Sequence, residues 1–555
     1  MKQKLLALSV AASLGLAAGT AAAVPTVKVN GVGMINVIPY FSTQGSNVTQ
    51  ISITNTDMVN GKVVKVRFRG AEWSDDIFDF QVFLSPGDVF TGAVTNSGNV
   101  SKFETADTSC TLPTSVNQNF PTIRLHNTAT GTLEGYVEVI TMANINPAGT
   151  LAPVGTSAEG YSLYTATKHV NGVAPCKTAG SKAEAAVTTL KQDNAINALA
   201  APDATTGQHP NWMSNPTTGL TSWNRVINIS TVKAYGVPAT AIDLTAMAGK
   251  WYFRQANEAV PLAANVNQMT SDRIFFPEDN FGAGAPTPND ATSAGTAITT
   301  LYQFDLPDLS TNFENVVAGV GLTAAATARN NMTSALTKLA VASEYSTLAS
   351  VNAATDLVMT QPTRRYYYNY DAVTPASPTE GTNFSRTIGG STNYYVIKGD
   401  ATTAYANLDM LNRVGLADLD AAVAGVGNPV GYTATPAIFF DREEQFKAAQ
   451  TDIVISPNPP AAAYTLSLKG EASVVSFNRG SGATETGALG GKLTMNDISI
   501  VGGYQAGWVL LSTKAKTNNN PLPIIGFGAT NVAGVHNYGT TLPLRYFGAT
   551  GAIAQ

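Results

Sequence analysis

Residues 71–90, AEWSDDIFDFQVFLSPGDVF, set Glu72, Asp75, Asp76, Asp79 and Asp88 around a run of aromatic and aliphatic side chains. Carboxylates at this density could work as an acid–base pair or hold a hard cation. A strand rises about 3.3 Å per residue, which places Asp76 and Asp79 roughly 10 Å apart and on opposite faces. That separation excludes a retaining glycosidase pair, whose carboxyl groups stand ~5–5.5 Å apart. Asp75 and Asp76, in the loop before the strand, suit calcium better, since calcium takes loop carboxylates and carbonyls. Glu278 and Asp279 in PEDNFG form a second such loop, and Asp305 with Asp308 a third. None follows the EF-hand spacing. The alternative is a core strand with Phe78, Phe80, Val82 and Leu84 on one face. Lys65, Arg67 and Arg69 of the preceding KVVKVRFRG would then point to solvent and pair with Asp79 or Glu72 for some tenths of a kcal/mol. The residues favour this second reading, with the acids at the rim of a sheet.

Other chemistry is sparse. The four histidines, His126, His169, His209 and His536, are scattered without an H-E-x-x-H spacing, and no G-x-S-x-G nucleophile elbow occurs. No catalytic residue is named, and a secreted hydrolase would need a site assembled from distant loops. RRYYYNY, residues 364–370, is the best ligand-contact candidate. Arg364, Arg365, Tyr366 and Tyr368 could stack on sugars or meet lipopolysaccharide phosphates through guanidinium forks. In a strand, Tyr366, Tyr368 and Tyr370 would instead share one side and cover a sheet. Cys110 and Cys176, the only cysteines, read as one disulfide in an oxidising compartment. Two isolated thiols lack the ligand cluster that zinc requires.

The elements that must position these residues are mostly strands. MKQKLLALSVAASLGLAAGTAAA has the charged start, apolar centre and A-x-A end of a secretory signal peptide, residues 1–23. From Val27 the apolar pattern has period two, the mark of half-buried strands. Asn60-Gly61 and Pro86-Gly87 supply turns. The pattern predicts a mainly β chain of immunoglobulin-like β-sandwich domains with α-helical insertions. An N-terminal sandwich is expected over 24–147 and a Gly/Ala/Pro-rich insertion with a helix at SKAEAAVTTLKQDNAINALA over 148–222. Strands plus a second helix, within Ala324–Ser350 where ALTKLAVASEYSTLASV has apolar residues at helical spacing, are expected over 223–355, and a C-terminal β-rich domain over 356–555.

Charged residues make up only 13% of the chain, about half the ~25% usual for a soluble domain. Ala, Thr, Ser, Asn and Gly take their place, a surface suited to close contacts between copies. The net charge is −5, and more negative once Lys2 and Lys4 are removed. This excludes a nucleic-acid partner, which would need clustered basic residues.

NVIPYFSTQ at 36–44, VKVRFRGAEWSDDIFDFQVFLSPGDV, TDLVMTQPTRRYYY at 355–368, FFDREEQ at 439–445 and GWVLLSTKAKTNNNPLPIIGFGATNVAGVHNYGTTLPLR at 507–545 resemble a group of exported Gram-negative cell-surface proteins. The resemblance touches both ends of the chain and leaves much of 148–220 and 250–350 uncovered. It implies an extracellular, surface-layer-like location and carries over no catalytic residue. The expectation is therefore a non-enzymatic, self-associating structural protein, with calcium as a candidate ordering ion and itself and a surface glycan as candidate partners. An adhesin or glycan-binding module is the alternative.

Overall fold

In the N-terminal half, with Ile35–Ser42, Gly61–Gly70 and Glu134–Ile145 buried on both faces, fourteen strands form two facing sheets. These are β1 (Val24–Lys28), β2 (Ile35–Ser42), β3 (Asn47–Asn55), β4 (Gly61–Gly70), β5 (Asp76–Leu84), β6 (Val89–Asn96), β7 (Ser101–Glu104), β8 (Cys110–Leu112), β9 (Gln118–Asn119), β10 (Glu134–Ile145), β11 (Met213–Ser214), β12 (Leu220–Asn228), β13 (Lys233–Pro238) and β14 (Thr240–Thr245). The computed structural model describes residues 24–121 apart from 73 and 75, 129–190 apart from 189, and 212–245 apart from 215. In the second half it describes 330–364, 466–478, 487–499 apart from 494, 505–513, 521–533 and 538–547. Shorter pieces lie at 300–301, 308–309, 320–321, 368–373, 383–388, 391–399, 431–434, 437–440, 446–447 and 553–554.

One sheet has the order β1-β14-β2-β10-β4-β5-β8 with β11 beside β10, the other β13-β12-β3-β6-β7-β9. The expected β-sandwich is present and runs further than 147. β12, β13 and β14 add strands to both sheets, because Trp223–Val226 and Ala241–Ile242 alternate in the same period as the earlier strands. The core between the sheets is aromatic. Phe41, Phe68, Phe78, Phe80, Phe90, Phe103 and Phe120 pack with ring centroids between 4.9 and 6.2 Å apart. Each such side chain contributes about 1.5–3 kcal/mol by leaving water.

The described part of the insertion expected over 148–222 packs on the first sheet. Helices α1 (Leu163–Thr167) and α2 (Lys182–Thr188) lay Leu163, Ala166, Ala183, Ala186 and Val187 on Val63, Phe83 and Ile145 of the first sheet. Ser162 caps α1, its hydroxyl accepting from the Thr165 amide at 3.1 Å. The Cys110–Cys176 disulfide ties the insertion to β8 with Cα atoms 6.0 Å apart. Trp212 is fully buried, and its indole N–H donates to the Thr150 carbonyl at 2.7 Å.

The second half contributes a five-stranded sheet centred on Ala354–Thr360 and a six-stranded sheet centred on Ala506–Ser512 and Ala340–Ser346. DLVMTQP, NYYVIKG, PAIFFD, YTLSLKGEASVVSF, AGWVLLST and PLPIIGFGA all contain strands as expected, while TDIVISP lies outside the described residues. The second helix expected within 324–350 is present but short, and most of ALTKLAVASEYSTLASV is not part of it. Helix occupies 330–336, and Ala340–Ser346 is a strand pairing with Ala506–Ser512. Val341 and Tyr345 enter the core between the two sheets, and tertiary pairing overrides the alanine-rich composition.

Leu357, Met359, Val475 and Phe477 on one face of the five-stranded sheet meet the six-stranded sheet. Val358, Val474, Phe527 and Ala529 on the other enter the core of the first sandwich. They do so where β14 pairs only with residues 35–37 of β2, which leaves the rest of β2 free to receive a neighbour. Thr360 donates its hydroxyl there to the Pro39 carbonyl at 2.5 Å.

Candidate functional site

Alternation along β4 sends Val64, Val66 and Phe68 into the aromatic core and Lys65, Arg67 and Arg69 to the opposite face. Register sets Arg67 across from Asp79 of β5 on one side and Glu138 of β10 on the other. Lys65 Nζ lies 2.5 Å from Asp79 Oδ2 and Arg67 Nη2 3.7 Å from the same atom. Arg67 Nη1 is 3.8 Å from Glu138 Oε2, and Arg69 Nη2 stands 3.3 Å from Glu138 Oε2 and 3.9 Å from Asp308 Oδ2. The cross-strand pairing with Asp79 holds, but the solvent-facing position expected for it does not. All six side chains are buried, and Asp308, far along the chain, reaches this face at Arg69. Among the described residues three cations meet three anions, and opposite charge at close range is the condition under which buried charge is tolerated. Groups so enclosed are out of reach of an external substrate.

A second set of carboxylates lies where the two halves meet. Glu134 of β10 is fully buried and accepts from the Lys492 and Leu493 amides at 2.7 and 3.3 Å and from the Tyr40 hydroxyl at 3.2 Å. Asp356 accepts from the Leu489 amide at 2.7 Å and the Ser476 hydroxyl at 2.6 Å. The Leu489 carbonyl in turn receives the Asn47 side-chain amide at 2.7 Å. One carboxylate from each half thus clasps the same segment, GALGGKL at 487–493. A β-carbon on Gly487 would overlap Asp356 Oδ1 and Ser476 Oγ, so glycine is required for this close approach.

Nearby, the Glu471 and Ala472 amides donate to the Ala71 carbonyl at 2.7 and 3.1 Å. Arg364 Nε lies 3.8 Å from Glu471 Oε2, and Arg364 Nη1 donates to the Gly470 carbonyl at 2.5 Å. Burial pushes the Glu471 carboxyl up to about 7, against the pull of Arg364. Burial, helped by the negative charge of Glu134, raises Glu72 to about 7 as well. Burial also raises Glu134 itself, although its amide donors oppose the shift.

The residues singled out in the sequence do not converge. Arg364 is wholly enclosed, so it braces the seam and meets no external ligand there. Arg365 and Tyr366 lie outside the described residues, and Tyr368 begins a strand whose side chains are not described. Of the calcium candidates, Asp76 begins β5; Asp75, Glu278 and Asp279 lie outside the described residues. Asp308 is spent on Arg69. Asp88 accepts from the Ser85 amide at 3.1 Å and lies 3.4 Å from His169 Nδ1. Among the described residues, no three His, Cys, Asp or Glu side chains are grouped so as to hold a metal ion, and no helix is long and apolar enough to cross a membrane.

Sequence reasoning passed over Glu134 and Asp356. The available signal was an acid within a strand pattern, Glu134 beside Glu138 in LEGYVEVIT and Asp356 alone in TDLVMTQP. Comparison with protein-family models, with curated proteins and with solved structures gives no match for this chain.

Proposed function

We propose that this protein is an exported structural subunit of the cell surface that associates with copies of itself in a surface-layer-like manner and performs no catalysis. The observation that carries this reading is the outward face of the six-stranded sheet of the first sandwich. Across neighbouring strands, Trp223, Ser52 and Thr91 form one row, and Arg225, Gln50, Ala93 and Glu104 the next. Trp223 is 70% exposed. Lys102 and Glu104 neutralise each other at 2.6 Å, which leaves Arg225 as the charged side chain of these two rows without an ion pair among the described residues. A polar face around one large exposed aromatic is the composition of a contact patch, in which tryptophan is among the enriched anchors. Low overall charge keeps repulsion between copies small, and the clasped seam gives each copy one shape to repeat. Calcium belongs to the proposal as an ordering ion, with the loop acids Asp75 and Asp76, and separately Glu278 and Asp279, as its candidate ligands.

Sedimentation velocity over a concentration series of residues 24–555, with calcium and with a chelator, tests the reading. It predicts concentration-dependent growth that Trp223→Arg abolishes. A monomer at every concentration in both buffers would refute it.

A further inference from the structure

The second sandwich carries a cavity on the outward face of its six-stranded sheet. Register lines up Phe440, Trp508 and Glu344 across three adjacent strands. Phe440 and Trp508 stack with centroids 4.0 Å apart and planes 5° from parallel. Arg545 lies one row away, opposite Ala342. On the side of Trp508 away from Phe440, a cavity of about 250 Å³ is lined by Ala342, Glu344, Trp508, Leu542, Pro543 and Arg545. Phe440 is not among its walls. The stacked ring holds the indole plane, and Trp508 remains 38% exposed toward the opening. Glu344 and Arg545 are both exposed, and among the described residues neither side chain makes an ion pair with the other.

We propose that this cavity binds one pyranose ring of an external glycan. Trp508 offers an apolar face for the carbon-bound hydrogens of the sugar, a use of aromatic rings that rests on their flat apolar bulk and negative face. Glu344 accepts hydrogen bonds from ring hydroxyls, and Arg545 donates to hydroxyl oxygens. One carboxylate beside one guanidinium gives a pocket with no net charge, which suits a neutral polyol better than a phosphate or a metal ion. The volume falls just below the ~300–1,000 Å³ of sites for drug-sized ligands, the scale of a single sugar. Strands supply Glu344, Trp508 and Arg545, so the site is held by the sheet. Its named residues are not those of RRYYYNY, and it goes beyond self-association, with whose face it shares none of them.

Saturation-transfer NMR on residues 24–555 with methyl glycosides of glucose, galactose, mannose and N-acetylglucosamine tests the site. At least one glycoside is expected to receive saturation and to quench tryptophan fluorescence. Trp508→Ala should weaken its binding by about tenfold, equivalent to ~1.4 kcal/mol. Glu344→Gln and Arg545→Gln, changes at exposed positions that leave the fold intact, should each weaken it as well, while Trp223→Arg should leave it unchanged. No transfer to any of the four sugars would overturn the proposal. So would transfer that persists in Glu344→Gln and Arg545→Gln, even if Trp508→Ala fails to fold. Sugar binding by a protein that never self-associates would leave this site standing and sink the assembly reading alone.

Discussion

Asp79 shows how the same residue changes meaning with burial. At a sheet rim its pairing with Lys65 would contribute some tenths of a kcal/mol; enclosed, it is one of three anions that meet three cations among the described residues. Removing one member strands the others without solvent, so Asp79→Ala should destabilise the protein by ~3–5 kcal/mol in urea unfolding. A cost under ~1 kcal/mol would mean that the row is solvated in solution. The seam carboxylates act in the opposite direction. Glu72 and Glu471 titrate near 7 in the folded protein, against about 4.3 for an unfolded glutamate. The folded state therefore holds more protons between those values, and stability present at pH 5 is lost as pH rises through 7. Melting temperatures should fall from pH 5.5 to pH 8, and Glu471→Gln should flatten the fall. A melting temperature that rises over that interval would contradict the burial of these groups.

Strands were the legible elements. Alternation in KVVKVRFRG and DFQVFL assigns Val64, Val66, Phe68, Phe78, Phe80 and Val82 to the core, because a buried face and a period of two leave one solution. The same alternation could not say that Lys65, Arg67 and Arg69 are buried; Asp308, which meets Arg69, is remote in sequence and carries no local sign of its partner. The 335–351 segment failed for a related reason. Its alanines fit a helix locally, and only the pairing with Ala506–Ser512 makes it a strand. Cys110 and Cys176 were legible because two cysteines allow one intramolecular pairing. The disulfide closes a loop of 66 residues, and chain entropy assigns it about 4 kcal/mol. Cys110→Ser with Cys176→Ser should lower stability on that order and expose Trp212 to quenching as α1 and α2 loosen from β4. Unchanged stability would place the strength of the insertion in its apolar contacts alone.

For the whole molecule, the decisive feature is that the two halves share one core and one clasp. Val358, Val474 and Phe527 sit among Ile38, Phe41 and Val139, and GALGGKL answers to Glu134 on one side and Asp356 on the other. Gly487→Ala should push this segment off Asp356, cost at least ~2 kcal/mol as a buried overlap, and split a single melting transition into two. None of this was legible beforehand, because no periodicity announces an interface between segments hundreds of residues apart. A body of fixed shape with a polar, weakly charged face is suited to regular packing. The most direct test is negative-stain electron microscopy of residues 24–555 after dialysis into calcium, beside the Trp223→Arg variant. Ordered sheets or filaments from the native protein and dispersed particles from the variant are the predicted result; dispersed particles from both, or the same lattice from both, would contradict it.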